Sequence, residues 1–432
     1  MKIKLCLTAA LAAFTALPVF CETVTLDECL ERAYKANYNI LTSRNSVLSS
    51  EQSVKTAKSG YYPQVSVRNN FLTSNHGVLS QHRNGTAISI SQNIYDGGIR
   101  ESNVRGAKYG VEQSEFAEIR NFQTVTYDVK RAYYSFLRAK NRLDVTKIDA
   151  EYNQNLLDQI NAQVEVGVAA PVDKYPIEAN LASAKVNSLT AQNSVRSGSI
   201  ALLSLLGESP DKDFDVVEAA PADNPYGSLE ECMAKALEVR PDIRQYLAAS
   251  KVADEKVKRA KINRSIRPTL TADYEQSIHG GYNEHGLTVL GGLSFDVFDG
   301  GANKAALTQA KIDKANTELR LAQLDIDVRG DVADAYMEVV NCSEKLTATQ
   351  AALKSAEKNY EAQKERYAQG LGIALDLLNA EQQLITAKTN DVDARYDYCI
   401  ALASLEYAVG DLEIDPTIIE DKEIKEAANE KD

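Results

Sequence analysis

The sequence predicts a mainly α-helical chain built as two tandem repeats that each carry two strands and one long coiled-coil hairpin. Three observations predict it. The chain repeats itself at a constant offset of 203 residues. Thr25-Leu26-Asp27-Glu28-Cys29-Leu30 returns as Ser228-Leu229-Glu230-Glu231-Cys232-Met233, and Tyr95-Asp96-Gly97-Gly98 returns as Phe298-Asp299-Gly300-Gly301. Ala132-Tyr133 returns as Ala335-Tyr336, Gly167 with Asp173 as Gly370 with Asp376, and Leu206-Gly207 as Val409-Gly410. A shift held through all these landmarks marks two copies of one architectural unit. The second observation is a two-residue alternation ahead of each Asp-Gly-Gly, the period of a strand with two different faces. The third is a proline-free stretch after each Asp-Gly-Gly, Gly98–Val166 and Gly301–Gln369.

Met1-Lys2-Ile3-Lys4 and the apolar run from Leu5 to Phe14 read as a secretory signal peptide, residues 1–21, with cleavage near Cys21–Glu22. Lipidation at Cys21 is the rival reading, opposed by Phe20, where that processing wants a small residue. Residues 22–207 form repeat 1. Its helix runs from Leu26 to about Ser59 and ends before Pro63, since a proline restricts the residue preceding it. Strands follow over 63–96, where Val65, Val67 and Phe71 alternate with Ser66, Arg68 and Asn70, and Ile88, Ile90 and Ile94 with Ser89, Ser91 and Asn93. A helix of ~68 residues then makes a rod on the order of 100 Å. Gly167 interrupts it, and a second helix returns from Val172 to Leu206.

Residues 208–227, rich in Pro, Asp and Ala, are the expected linker. Repeat 2, residues 228–410, follows the same plan: a helix from Leu229 to about Asn263, strands over 268–299, a rod broken at Gly370, and a return from Asp376 to Val409. Leu270, Ala272, Tyr274 and Ile278 form one apolar face, and Leu287, Val289, Leu293, Phe295 and Val297 another. Each strand segment matches the roughly 9–11 residues of a tilted membrane-crossing strand. Strand alternation alone does not exclude a soluble two-sided sheet. Leu319, Ala322, Ile326, Ala333, Met337 and Val340 make a narrow seam suited to coiled-coil packing. The acidic tail, residues 411–432, has a disordered composition.

Removing Lys2 and Lys4 with the signal takes the formal charge from −13 to −15. An acidic chain without a basic cluster is a poor nucleic-acid binder. No later apolar run approaches the length of a membrane helix, so entry into a membrane requires a barrel. Cys29 and Cys232 occupy equivalent helical positions without C-x-x-C spacing and read as small buried side chains. No nucleophile motif, helical-body histidine or phosphate-binding glycine loop argues for catalysis, and no cofactor is expected. Only Met233 and Met337 follow the signal, too few for a methionine relay carrying copper or silver.

The chain resembles the TolC-type outer-membrane efflux proteins. The resemblance rests on the openings at Leu26 and Leu229, the Asp-Gly-Gly strand exits, and two hairpin tips. The tips read Val166-Gly167-x5-Asp173 and Tyr367-x2-Gly370-x5-Asp376-x-Leu378-x2-Glu381. No single motif is specific; their duplicated order, from about Glu22 to Gly410, is. The resemblance implies a homotrimer whose subunits each give four strands to a 12-stranded barrel in outer-membrane lipid, above an α-helical periplasmic tunnel. It implies passive export of substrates from an inner-membrane transporter through a periplasmic adaptor (membrane fusion) protein, in tripartite efflux or type I secretion. Four strands from one chain leave two bare edges, which lipid does not tolerate, so closure across subunits agrees with it. A secreted coiled-coil structural or adhesive protein is the alternative; it explains the rods but not the strand pairs.

The resemblance also assigns residues. Asp376 matches an acidic ring at the tunnel entrance, while the second ring falls on Asn379. Asp173 and Tyr367 match a pair that latches neighbouring hairpins, and the arginine sharing that latch falls near Gly372. Simple N-capping is the other reading of both aspartates. Gly167-Val168 and Gly370-Leu371 match the adaptor contact, although glycine is also what a tight turn requires. His76, His82, His279 and His285 flank the outer hairpins and read either as polar loop residues or as a ring able to bind metal. Cys342 and Cys399 lie at nearly equal height about Gly370, which permits a disulfide if both face the shared seam.

Overall fold

Thr25 and Ser228 open the two halves in the same way. In the computed structural model, which describes residues 22–76, 79–168, 170–212, 214–218, 222, 224–279 and 282–412, each hydroxyl accepts from the amide three residues on. Glu28 and Glu231 return the bond to the Thr25 and Ser228 amides, completing capping boxes on α1 (Leu26–Ala36) and α5 (Leu229–Val239). The continuous helices expected to Ser59 and Asn263 are each broken. Asn37 turns extended at ψ 125°, caps the Asn39 amide and donates to Leu205 O at 2.8 Å, so α2 (Tyr38–Ser59) starts afresh. Pro241 forces Arg240 to ψ 125° and begins α6 (Pro241–Asn263).

Strands β2 (Gln64–His76), β3 (Leu79–Tyr95), β5 (Arg267–His279) and β6 (Tyr282–Ser294) form one antiparallel sheet in the order β2-β3-β5-β6. Register puts Val65, Ile90, Tyr274 and Leu287 in one row across all four strands, and Ser66, Ser89, Glu275 and Gly286 in the next row on the opposite face. The sheet is therefore apolar on one face and polar on the other along these rows. Phe295 and Val297, expected in the last strand, lie beyond it, because β5 ends its pairing at Arg267 opposite Ser294.

Each Asp-Gly-Gly turns a strand into a rod. Gly97 and Gly98 take φ 75° and 93°, Gly300 and Gly301 φ 66° and 90°, conformations that a side chain disfavours. The aspartates then cap the rods: Asp96 accepts from the Gly98, Ile99 and Arg100 amides, and Asp299 from those of Gly301 and Asn303. The rods are α3 (Ile99–Glu165) and α7 (Ala302–Ala368), 67 residues each. They return as α4 (Lys174–Leu205), after a single 3-10 turn at Pro171–Asp173, and α8 (Ala374–Val409).

Principal contacts order the lower helices α4–α3–α8–α7 and the upper ones α2–α3–α6–α7. The sheet ends in edges β2 and β6, and both helical tiers end in α7 on one side. α7 carries two apolar stripes. Val328, Val332, Ala335, Val339 and Cys342 are buried against the chain, while Leu319, Ile326, Met337 and Val340, the expected seam, are exposed. α4 likewise exposes Val186 and Leu189.

The stretch expected as a linker contains β4 (Phe214–Val216), which pairs in parallel with β1 (Glu22–Val24). Tyr133 donates to Val217 O at 2.6 Å and Lys140 bonds Asp215, pinning the stretch against α3. The expected tail begins inside the fold: Leu412 is buried, and Asp411 accepts from Lys235. The rest of the tail from 413, the expected signal peptide and Cys21 lie outside the described residues. Among those residues no helix is long and apolar enough to cross a membrane.

Candidate functional site

Both rods end by the same turn. Gly167 and Gly370 adopt φ 77° and 72°, and the amides of Val168 and Leu371 reach back to Gln163 O and Arg366 O, each at 2.9 Å. These are Schellman closures, with open space where a glycine Cβ would sit, so backbone conformation alone demands glycine. The next residue, ordinarily packed back on the helix in this motif, is instead exposed: Val168 by 77% and Leu371 by 69%. Two bare aliphatic side chains therefore stand at adjoining tips.

Between the tips lies an open cavity of about 540 Å³ lined by Gln163, Val168, Asp173, Tyr367, Ile373 and Leu378, among others. Asp173 and Tyr367 thus share a cavity, but within the chain they are not bonded to each other. Asp173 accepts from the Ala170 amide at 3.2 Å, a turn-closing role close to the capping alternative. The Tyr367 hydroxyl donates to Gln163 Oε1 at 3.3 Å, and Gln163 is a partner that sequence reading missed. Asp376 behaves differently. It lies exposed in the first turn of α8, whose N-cap is Ile373 and has no side-chain cap, and its carboxylate bonds no amide among the described residues. Asn379, one turn onward, is exposed as well. Gly372 packs against the Arg366–Tyr367 backbone at 3.4–3.5 Å from its Cβ position.

Above the tips Glu381 of α8 is 2% exposed. Asn153 Nδ2 on α3 donates to Glu381 Oε1 at 3.1 Å and to both Asp149 O and Asp149 Oδ1 at 2.9 Å. Burial, then the nearby Asp149 charge, pushes the Glu381 carboxyl up to about 7. Burial also raises Asp149, against the Asn153 hydrogen bond. Sequence carries a signal for this site: Glu381 interrupts the stripe Leu377, Leu378, Leu384 at helical spacing.

The expected Cys342–Cys399 disulfide is not formed; both are buried free thiols. Their heights match but their surroundings differ. Cys342 Sγ donates to Glu338 Oε1 at 3.4 Å within the α7–α8 core, whereas Cys399 lies beside Tyr134 of α3 and Arg395. Burial pushes each thiol up to about 11, so both are protonated and unreactive. Cys29 and Cys232 are buried, as read. Of the histidines, His285 is exposed on β6 opposite Gln276; the side chains of His76, His82 and His279 lie outside the described residues. No group of three or more His, Cys, Asp or Glu residues gathers as a metal site among the described residues.

Comparison with known proteins fits this architecture. A family profile described as outer membrane efflux protein matches residues 29–208 and again 233–411, one match per repeat. The chain is 24% identical over 400 residues to the outer membrane efflux protein BepC of Brucella suis, covering 90% of this chain and 86% of that protein. It is 24% identical over 382 residues to the outer membrane protein TolC of Vibrio cholerae, covering 84% and 85%. Its fold superimposes on the Campylobacter jejuni CmeC outer membrane channel with TM-score 0.78 at 18% identity, over 93% of this chain and 88% of that one. With one family match per repeat, a two-faced four-stranded sheet and two long hairpins, the chain is an outer-membrane efflux channel and belongs to the outer membrane efflux protein family.

Proposed function

We propose that three copies of the chain close into a barrel above a helical tunnel and serve as the exit duct of a tripartite efflux or type I secretion machine. One observation carries this reading: both tiers end in unlike edges, β2 against β6 in the sheet and α4 or α2 against α7 in the rods, with apolar stripes bare on α4 and α7. Unlike edges associate head to tail, and a ring is the closed form of such an association. The apolar row Val65–Ile90–Tyr274–Leu287 then faces lipid and the polar row faces the lumen. Cargo arrives from an inner-membrane pump through a periplasmic adaptor that grips Val168 and Leu371. Recovery from the outer-membrane fraction as a trimer by native mass measurement is the expected result; a monomeric soluble protein overturns the reading.

The entrance is assigned to Asp376 and Asn379, with Asp173 and Tyr367 flanking it. Asp376→Asn removes three charges per trimer from a narrow ring, and the cation-to-anion permeability ratio in planar bilayers is expected to fall several-fold. An unchanged ratio places the constriction elsewhere. Leu371→Ser with Val168→Ser is expected to abolish adaptor capture while leaving bilayer conductance intact. Adaptor capture by the double variant at wild-type level removes the tips from that role.

A further inference from the structure

We infer that Glu381, Asn153 and Asp149 form a proton-operated clasp between the two hairpins, tight when Glu381 carries a proton and loosened when it is ionised. The cluster sits on the α3–α8 seam, the direct joint between the hairpins. It lies eleven residues past Gly370, roughly 15 Å above the tips. This inference deepens the reading of the tips as the tunnel entrance and rests on it.

The cluster is short of donors. One amide group, Asn153 Nδ2, serves Glu381 Oε1, Asp149 Oδ1 and Asp149 O. Asn153 Oδ1 is buried and accepts from nothing among the described residues. A buried acceptor without a donor is costly, and so are two carboxylates bridged by a neutral amide. One added proton on Glu381 relieves both: it supplies an O–H donor to the surplus acceptors and removes the repulsion from Asp149.

Among the described residues no cation is ion-paired with Glu381 or Asp149. From α3 come Asp149 and Tyr152; from α7 comes Tyr360, whose ring stacks on Tyr152 at 5.5 Å; α4 brings the apolar Ile177 nearby. Two cations nearby are engaged otherwise. Lys364 lies over the Tyr360 ring, and Arg142, which lines a groove with Asp149, pairs with Asp393 at 3.3 Å. Ionised Glu381 therefore faces Asp149 from a buried position, where like charges repel more strongly than in water.

The sign of the coupling follows. The folded carboxyl titrates at about 7 against an ordinary 4.5, so the folded chain holds this proton more tightly than the unfolded one. The stabilisation is complete below the ordinary value and is lost as pH rises through about 7.

The test is conductance of the purified trimer in planar bilayers between about pH 6 and about pH 8, wild type against Glu381→Gln, which keeps the neutral amide at every pH. Wild-type conductance is expected to rise about two-fold or more with pH, and that of Glu381→Gln to stay at the low-pH level. A flat wild-type profile overturns the clasp, as does a Glu381→Gln profile that still rises. Thermal unfolding in detergent gives an independent reading: the wild type should lose stability relative to Glu381→Gln across the same window, and parallel curves overturn the coupling. Asp376→Asn measured alongside separates the two assignments. If its selectivity changes while Glu381→Gln keeps the wild-type pH profile, the entrance stands and the clasp falls.

Discussion

Arg240→Ala is expected to lower the unfolding free energy by about 3–5 kcal/mol, the range for breaking one side of a buried ion-pair cluster. Arg240 is 3% exposed at the break between α5 and α6. Its guanidinium donates to Asp242 at 2.6 Å, to Asp331 at 3.3 Å and to Ala408 O at 3.1 Å near the end of α8. Removing it strands a half-buried carboxylate and a carbonyl together and unties α8 from the helix break. Arg240→Lys should recover little, because an ammonium lacks the planar fork that reaches three acceptors on different elements. Denaturant midpoints in detergent measure both variants. A loss under about 1 kcal/mol would show that Arg120, 3.8 Å from Asp242, compensates.

Leu319→Asp with Ile326→Asp is expected to abolish the trimer while leaving the subunit helical. The two side chains are 68% and 63% exposed in the single chain and lie two turns apart on the bare stripe of α7. Covering each by a neighbour contributes about 1.5–3 kcal/mol, and two carboxylates there instead face burial without a partner. Assembly should weaken by at least about 100-fold, which corresponds to about 2.7 kcal/mol. The second stripe, Val328 to Cys342, keeps its intrachain packing, so circular dichroism should be preserved. A heat-resistant trimer that survives the double substitution would place the neighbour on another face.

The rods, the strands and the tips were legible because each follows from a short-range rule. Proline-free length makes α3 and α7, Asp-Gly-Gly satisfies a left-handed turn and a helix cap at once, and glycine closes each tip. The breaks at Asn37 and Arg240 are not part of the sequence expectation, since helical composition continues on both sides of each and the Asn37 bond to Leu205 O is tertiary. The β1–β4 pair joins two three-residue strands from distant parts of the chain, and nothing local announces such a pairing. The seam on α7 is apolar by composition, but spacing cannot say which of two stripes turns inward. Cys342 and Cys399 show the same limit: height follows from counting residues, whereas the face is set by packing against α3. Glu381 was visible as a carboxylate in an apolar stripe, yet its partners Asp149 and Asn153 come from the other repeat.

The linear order of elements carries a genetic consequence. A subunit with two unlike edges needs both of them, since each contact of the proposed ring joins the α7 side of one copy to the α4 side of the next. A copy damaged on α7 alone still offers a sound opposite edge, so it is recruited and then fails to close the ring. Co-expressed at equal level with the wild type, such an allele would leave roughly one ring in eight wholly intact if subunits mix at random. Damage on one edge is therefore dominant, whereas damage that prevents folding is recessive.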